Sequence, residues 1–183
     1  MRLHIVLVEP EIPANTGNIS RTCSVIGAPL HLVHPLGFDI SEKQVRRAGL
    51  DYWDELELHE YQSFDEVRAA YPDGVFYYCT TKGAHTYSEE DYTKVQGDLF
   101  FVFGKETKGL PEPLLRENRA NCIRIPMREN KRSLNLSNSV AVIAYEALRQ
   151  FDFENLKKEV NRPAIFVLSL FVCSERRISW RIM

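Results

Sequence analysis

Apolar runs separated by polar breaks divide the chain into alternating strands and helices. Leu3–Val8 is an apolar run short enough for a buried strand, and Glu9-Pro10-Glu11-Ile12-Pro13 breaks it into a loop. Asn15-Thr16-Gly17-Asn18 leads into a helix with Ile19, Cys23 and Ile26 at the i, i+4, i+7 spacing of a packed face, and Gly27 closes it. Leu30–Val33 reads as a second strand. Ser41 with Gln44 forms a capping-box pair that would open a short helix through Arg46 and Arg47. Glu55–His59 predicts a strand, and Ser63 with Glu66 predicts a helix ending near Tyr71. Pro72-Asp73-Gly74 is a turn, because Pro presets φ and Gly admits the left-handed region.

Val75–Cys79 is the next strand. Leu99–Phe103 is apolar throughout, as a strand covered on both faces should be. Gly104–Gly109 follows as a loop, with Pro111 placed to enter the first turn of a short helix. Cys122–Ile125 is a strand that Pro126 ends by removing a ladder donor. A last helix carries Val140, Ile143, Ala144, Ala147, Leu148 and Phe151 on one stripe, with Ser137 as the expected N-cap. Strands alternating with helices at this spacing predict an α/β fold, a mostly parallel sheet with helices on both faces.

Composition narrows this picture without changing it. A chain of 183 residues with 44% hydrophobic and 26% charged residues suits one soluble domain. The net charge of −2 gives no global sign of a polyanion partner, so any such case rests on local patches. One exists: Arg116, Arg119, Arg124, Arg128, Lys131 and Arg132 stand against Glu117 and Glu129, a local surplus of four. Acidic residues concentrate instead between Asp51 and Glu66. The four cysteines, Cys23, Cys79, Cys122 and Cys173, show neither CxxC pairing nor metal spacing with histidine. Buried thiols in a reducing, cytoplasmic setting are expected, with no metal. The start turns acidic too soon for a signal peptide, and no apolar run approaches the ~20 residues of a membrane span.

Chemistry concentrates in loops that follow strand ends: Thr80–Gly83, Gly104–Gly109 and Met127–Ser137, with Asn15–Arg21 as a fourth. Small residues in such loops let main chain approach a nucleoside-like ligand closely. Competing signatures fail. Gly104-Lys105 lacks the upstream Gly and the following Ser or Thr of a phosphate-binding P-loop, and there is no G-x-G-x-x-G or G-x-S-x-G. The histidines at 4, 31, 34, 59 and 85 are scattered, and each reads as structural.

Three ordered segments then carry a resemblance. Asn15-Thr16-Gly17-Asn18-Ile19-Ser20-Arg21, Phe103–Pro111, and Ile125-Pro126-Met127 with Ser133–Ser139 are similar to the three motifs of the SPOUT RNA 2′-O-methyltransferases. Within that class the chain resembles the small enzymes acting on the wobble cytidine or uridine, position 34, of the tRNA anticodon loop. Glu9–Pro13, Arg46–Tyr52 and Thr80–Gly83 strengthen the match. The resemblance implies a methyltransferase domain over residues 1–155 with a C-terminal trefoil knot, followed by a divergent tail, 156–183, which inherits nothing from it. It also implies a homodimer, tRNA as substrate and S-adenosylmethionine as cofactor. The cofactor-binding positions it implies are Cys79 (through its backbone), Gly104, Ile125, Ser133, Leu134 and Leu136. Arg21, in the first turn of the helix, is its catalytic candidate. Asn15, Glu106 and Asn138 would brace the loops, and Tyr145 would either reach the substrate or pack in the core. Activity on ribosomal RNA or another tRNA position, and a catalytically inactive RNA-binding relative, stand as alternatives.

Overall fold

The computed structural model describes residues 1–38 and 56–159. The expected helix at Ser41–Arg47 and the tail beyond Glu159 lie outside them. Seven strands form one sheet: β1 Leu3–Val8, β2 Leu30–Val33, β3 Leu58–Tyr61, β4 Val75–Cys79, β5 His85–Thr86, β6 Leu99–Phe103 and β7 Cys122–Arg124. Their order is β3-β2-β1-β6-β4-β7-β5, and every pairing is parallel. The sheet is thus wholly parallel where a mostly parallel one was expected. β1 and β6 lie side by side with Ile5 opposite Phe101, and every residue of both is buried. Uninterrupted apolar runs in these strands follow from cover on both faces.

One face packs under α1 (Pro13–Ile26) and α4 (Leu136–Gln150), where Ile19, Cys23, Val140, Ile143 and Ala147 meet Ile5, Leu7, Phe101 and Ile123. The other packs under α2 (Phe64–Ala70) and α3 (Glu112–Glu117), where Val67 and Leu115 meet Val6, Phe76, Phe100 and Val102. The expected layers are therefore present. The α2 capping box forms with one substitution: Glu66 N–H donates to the Ser63 hydroxyl, but the Glu66 carboxylate accepts from Gln62 N–H at 2.8 Å.

Several boundaries differ. Glu55–His59 gives way to a strand three residues later, because β3 takes its register from β2, with Leu30 opposite Leu58. Ile125 falls just past β7. Pro111 is the cap residue before α3 rather than part of its first turn. The largest difference is at α1, which begins at Pro13, so Asn15–Arg21 is helix and not loop. Pro at the first helical position presets φ and gives up an N–H that would be unpaired there. Asn, Thr, Gly and Asn are weak helix formers, and their composition hid a helix held by tertiary contacts. Arg21 accordingly sits in the third turn.

Parallel strands bring all their C-terminal ends to one edge. β1 is the point where chain order reverses, with β2 on one side and β6 on the other. Ligands of open α/β sheets bind outside the strand ends at such a reversal. Among the described residues no helix is long and apolar enough to cross a membrane.

Candidate functional site

The C-terminal ends of β6, β4 and β7 open into a cleft of about 540 Å³. Its walls come from the loops after those strands and from the N-terminal turns of α1 and α4. All six residues expected to hold a cofactor, Cys79, Gly104, Ile125, Ser133, Leu134 and Leu136, line it, and so does Asn15. The lining is chemically mixed. Ile123, Ile125, Leu134, Leu136 and Ile143 are apolar, while Thr80, Thr81, Ser133 and Ser139 bring hydroxyls. Burial pushes the Cys79 thiol well up, so it enters as a neutral thiol rather than a thiolate.

The loop from Gly104 to Gly109 is folded back on itself, with Gly109 N–H donating to Lys105 C=O at 2.8 Å and Gly109 at φ 69°. Gly104 is buried there. A Cβ at Gly104 would lie 2.2 Å from Gly109 C and from Leu110 N. The missing side chain therefore makes room for this chain's own backbone first. That corrects the expectation that Gly104 is small so that main chain can approach a ligand. Gly83 has the same function on the opposite lip, where a Cβ would lie 2.5 Å from Ile123 C.

Side-chain hydrogen bonds tie the three motif segments together. α1 has no capping side chain at Ile12 and no acidic residue in its first turn. The Glu106 carboxylate takes that place, accepting from Glu11 N–H at 2.8 Å, Ile12 N–H at 3.2 Å and the Asn15 amide at 2.9 Å. A carboxylate there satisfies unpaired donors and suits the positive end of the helix dipole. The Asn15 carbonyl oxygen in turn accepts from the Asn135 amide at 3.0 Å. Asn135 caps α4, accepting from Ser137 N–H at 2.9 Å and the Ser137 hydroxyl at 2.7 Å. The chain Glu106–Asn15–Asn135 thus fixes two helix N-termini and one loop against each other. Asn135, not Ser137, is the N-cap. Its position in a run of Ser and Asn was the available signal, but two residues of the same capping chemistry stand within one turn.

Further contacts hold the loops. The Thr107 hydroxyl donates to the Glu11 carboxylate at 2.7 Å, and with the Thr107 amide it holds that carboxyl below its usual range. Lys105 pairs with Glu9, whose backbone is left-handed at φ 52°. Lys82, in the cleft lining, pairs with Glu112 at the start of α3 at 2.6 Å.

Two expected catalytic residues are elsewhere. Arg21 and Tyr145 do not line the cleft. Arg21 is exposed on α1, two turns beyond Asn15, and Tyr145 is 42% exposed on α4, so it is not a core residue. Val25 and Val142 are exposed on the same two helices.

The chain is also similar to known proteins. Residues 2–145 match the SpoU rRNA Methylase family. A protein of Listeria monocytogenes serotype 4b, provisionally named a tRNA (cytidine(34)-2′-O)-methyltransferase, is 57% identical over 158 residues, 86% of this chain and 94% of its own. A solved structure described as giving insights into 2-OH methylation of C/U34 on tRNA superposes with a TM-score of 0.76 at 40% identity, covering 84% of this chain and 98% of that one. The SpoU methyltransferase AviRb from Streptomyces viridochromogenes, in complex with AdoMet, gives 0.71 at 27% identity, covering 83% and 61%.

Proposed function

Because this chain belongs to the SpoU rRNA Methylase family, we propose that it transfers a methyl group from S-adenosylmethionine to the ribose 2′-hydroxyl of nucleotide 34 in the tRNA anticodon loop. The observation that carries this reading is the convergence of Cys79, Gly104, Ile125, Ser133, Leu134 and Leu136 on one cleft, braced by Asn15. Its donor set suits the cofactor. Branched aliphatic side chains can sandwich an adenine ring, and hydroxyls and loop amides can bind its edge and ribose. When bound, S-adenosylmethionine supplies an electrophilic methyl carbon on a sulfonium.

The protein's part is positioning and charge stabilisation. Transfer between two held groups needs alignment more than it needs a metal. The Glu106–Asn15–Asn135 chain keeps the loops from drifting as the cleft fills. A guanidinium carries no removable proton at working pH, so Arg21 cannot be a literal base. It can grip an RNA phosphate and favour the 2′-oxygen as negative charge develops, leaving the proton to phosphate or water. Arg21 lies outside the cleft of its own chain, so that role requires a second copy or the RNA itself to bring the two together. A homodimer covering Val25, Val142 and Tyr145 would do so. We also propose the trefoil knot of the family. It is supported by the insertion of β7 between β4 and β5 and by the close seating of Gly83 on β7.

Radiolabelled S-adenosylmethionine, offered with unmodified tRNA and separately with ribosomal RNA, tests the substrate class. Label entering tRNA alone supports the reading. Label entering ribosomal RNA alone overturns it in favour of the other SpoU activity, and cofactor binding without transfer to either marks a catalytically inactive relative.

A further inference from the structure

The segment joining β7 to α4 carries a charge pattern that the cofactor cleft does not use. Between Arg124 and Arg132 there are four cations (Arg124, Arg128, Lys131, Arg132) and one carboxylate, Glu129, so 4 − 1 leaves a surplus of three. Several cations elsewhere are paired, among them Lys82 with Glu112, Lys94 with Asp91, Lys105 with Glu9, and Arg149 with Glu146. None of the four in this segment has a carboxylate partner among the described residues. Arg128 and Lys131 are exposed and are drawn together by a turn in which Lys131 N–H donates to Arg128 C=O at 3.0 Å. Only Arg132 reaches the cleft lining.

Unpaired, solvated cations clustered on one loop add nothing to folding and leave their charge available to a partner. Repulsion among them is a cost that an anion would relieve. The cleft holds the cofactor side of the reaction, and this loop forms the adjoining lip. A ribose presented to the cleft must bring its flanking phosphates across that lip.

We propose that the Arg124–Arg132 loop is the phosphate grip for the RNA strand, with Arg128 and Lys131 contacting backbone phosphates beside the methylated ribose and carrying no base specificity. The proposal rests on the RNA-methylating function proposed above. Phosphate contacts release condensed counterions, so each contributes to the salt dependence of binding, with a slope of roughly −0.7 per phosphate on single strands. Contacts of this kind position the strand and leave sequence choice to other groups.

The test is a salt series. Binding of a fluorescent anticodon stem-loop RNA is followed by anisotropy for wild type, the double variant Arg128→Gln/Lys131→Gln, and Lys94→Gln. Lys94 lies beside the C-terminal end of α4, away from the cleft, and controls for the loss of a surface cation elsewhere. The double variant should lose affinity at low salt, and its slope of log K against log salt should be shallower by about 1.4, two contacts at the single-strand value. Lys94→Gln should keep the wild-type slope. S-adenosylmethionine affinity and melting temperature should be the same in all three. A wild-type slope in a folded double variant, or an equal loss in Lys94→Gln, would overturn the grip. Failure of wild type to bind the RNA at low salt would instead remove the RNA-methylating reading, and the grip with it.

Discussion

Gly104 shows how close the site is to the limit of what the backbone tolerates. A Cβ there meets main-chain atoms of Gly109 and Leu110 at 2.2 Å, and backbone cannot swing aside as a flexible side chain can. Gly104→Val should therefore lower the melting temperature as well as abolish cofactor binding, as scanning calorimetry and titration calorimetry would show. A native melting temperature with lost cofactor binding would restore the view that the residue faces only the ligand. Asn135 makes a different prediction. Losing an N-cap costs about 1 kcal/mol, and Asn135→Ala also leaves the Asn15 carbonyl oxygen without its donor. Chemical denaturation should show a loss of that order or somewhat more, with weaker cofactor binding, whereas Ser137→Ala should cost less. Arg21 separates catalysis from binding. Arg21→Lys keeps the charge but loses the planar fork, so it should recover little. Both Arg21→Lys and Arg21→Ala should bind S-adenosylmethionine normally, while single-turnover methylation falls by roughly two to three powers of ten. Near-normal turnover in Arg21→Ala would return the residue to a surface role.

At the scale of elements, the strands were legible because cover on both faces leaves a continuous apolar run, as in Leu3–Val8 and Leu99–Phe103. The start of α1 was not. Its stabilising carboxylate, Glu106, arrives from a loop 91 to 95 residues along the chain, and local sequence cannot report such a partner. The sheet also holds a feature the scattered histidines concealed. His4 Nδ1 and His31 Nε2 are 2.9 Å apart in the core, and their rings stack in a ladder that runs from Phe100 to His59. His4 Nε2 lies 3.6 Å from Asp98, which favours its N–H on that side and leaves His31 to donate to His4. Burial lowers both imidazoles, His4 to about 4 and His31 to about 3, the latter also repelled by His4. An unfolded histidine takes up its proton near 6.5, so the unfolded chain gains protons first as the pH falls. The stability contributed by the pair is complete above about pH 6.5 and is lost progressively toward pH 4. Carboxyls that the fold holds low, such as Glu11, act only below their ordinary 4.5, which leaves pH 6.5 to 5 as the histidine window. Urea midpoints should drop across that window, and a flat profile would contradict the neutral buried pair.

For the molecule as a whole, the motif positions were readable because they are short and ordered, and the structure brings their cofactor residues to one edge of the sheet. Strand order was not readable. Each parallel crossover spans many residues, and nothing local in Val75–Cys79 says that it will lie between β6 and β7. The placement of Arg21 outside its own cleft was likewise hidden, because it depends on how α1 is rotated against the sheet. On the proposed function, the cleft, the bracing chain and the exposed α1–α4 surface serve one reaction at one ribose. The most direct measurement is mass spectrometry of ribonuclease fragments from unmodified tRNA incubated with the purified protein and S-adenosylmethionine. The account predicts a gain of a single methyl on the ribose of nucleotide 34, absent when the cofactor is withheld. A methyl on a base, or on a ribose elsewhere in the tRNA with nucleotide 34 untouched, would contradict it.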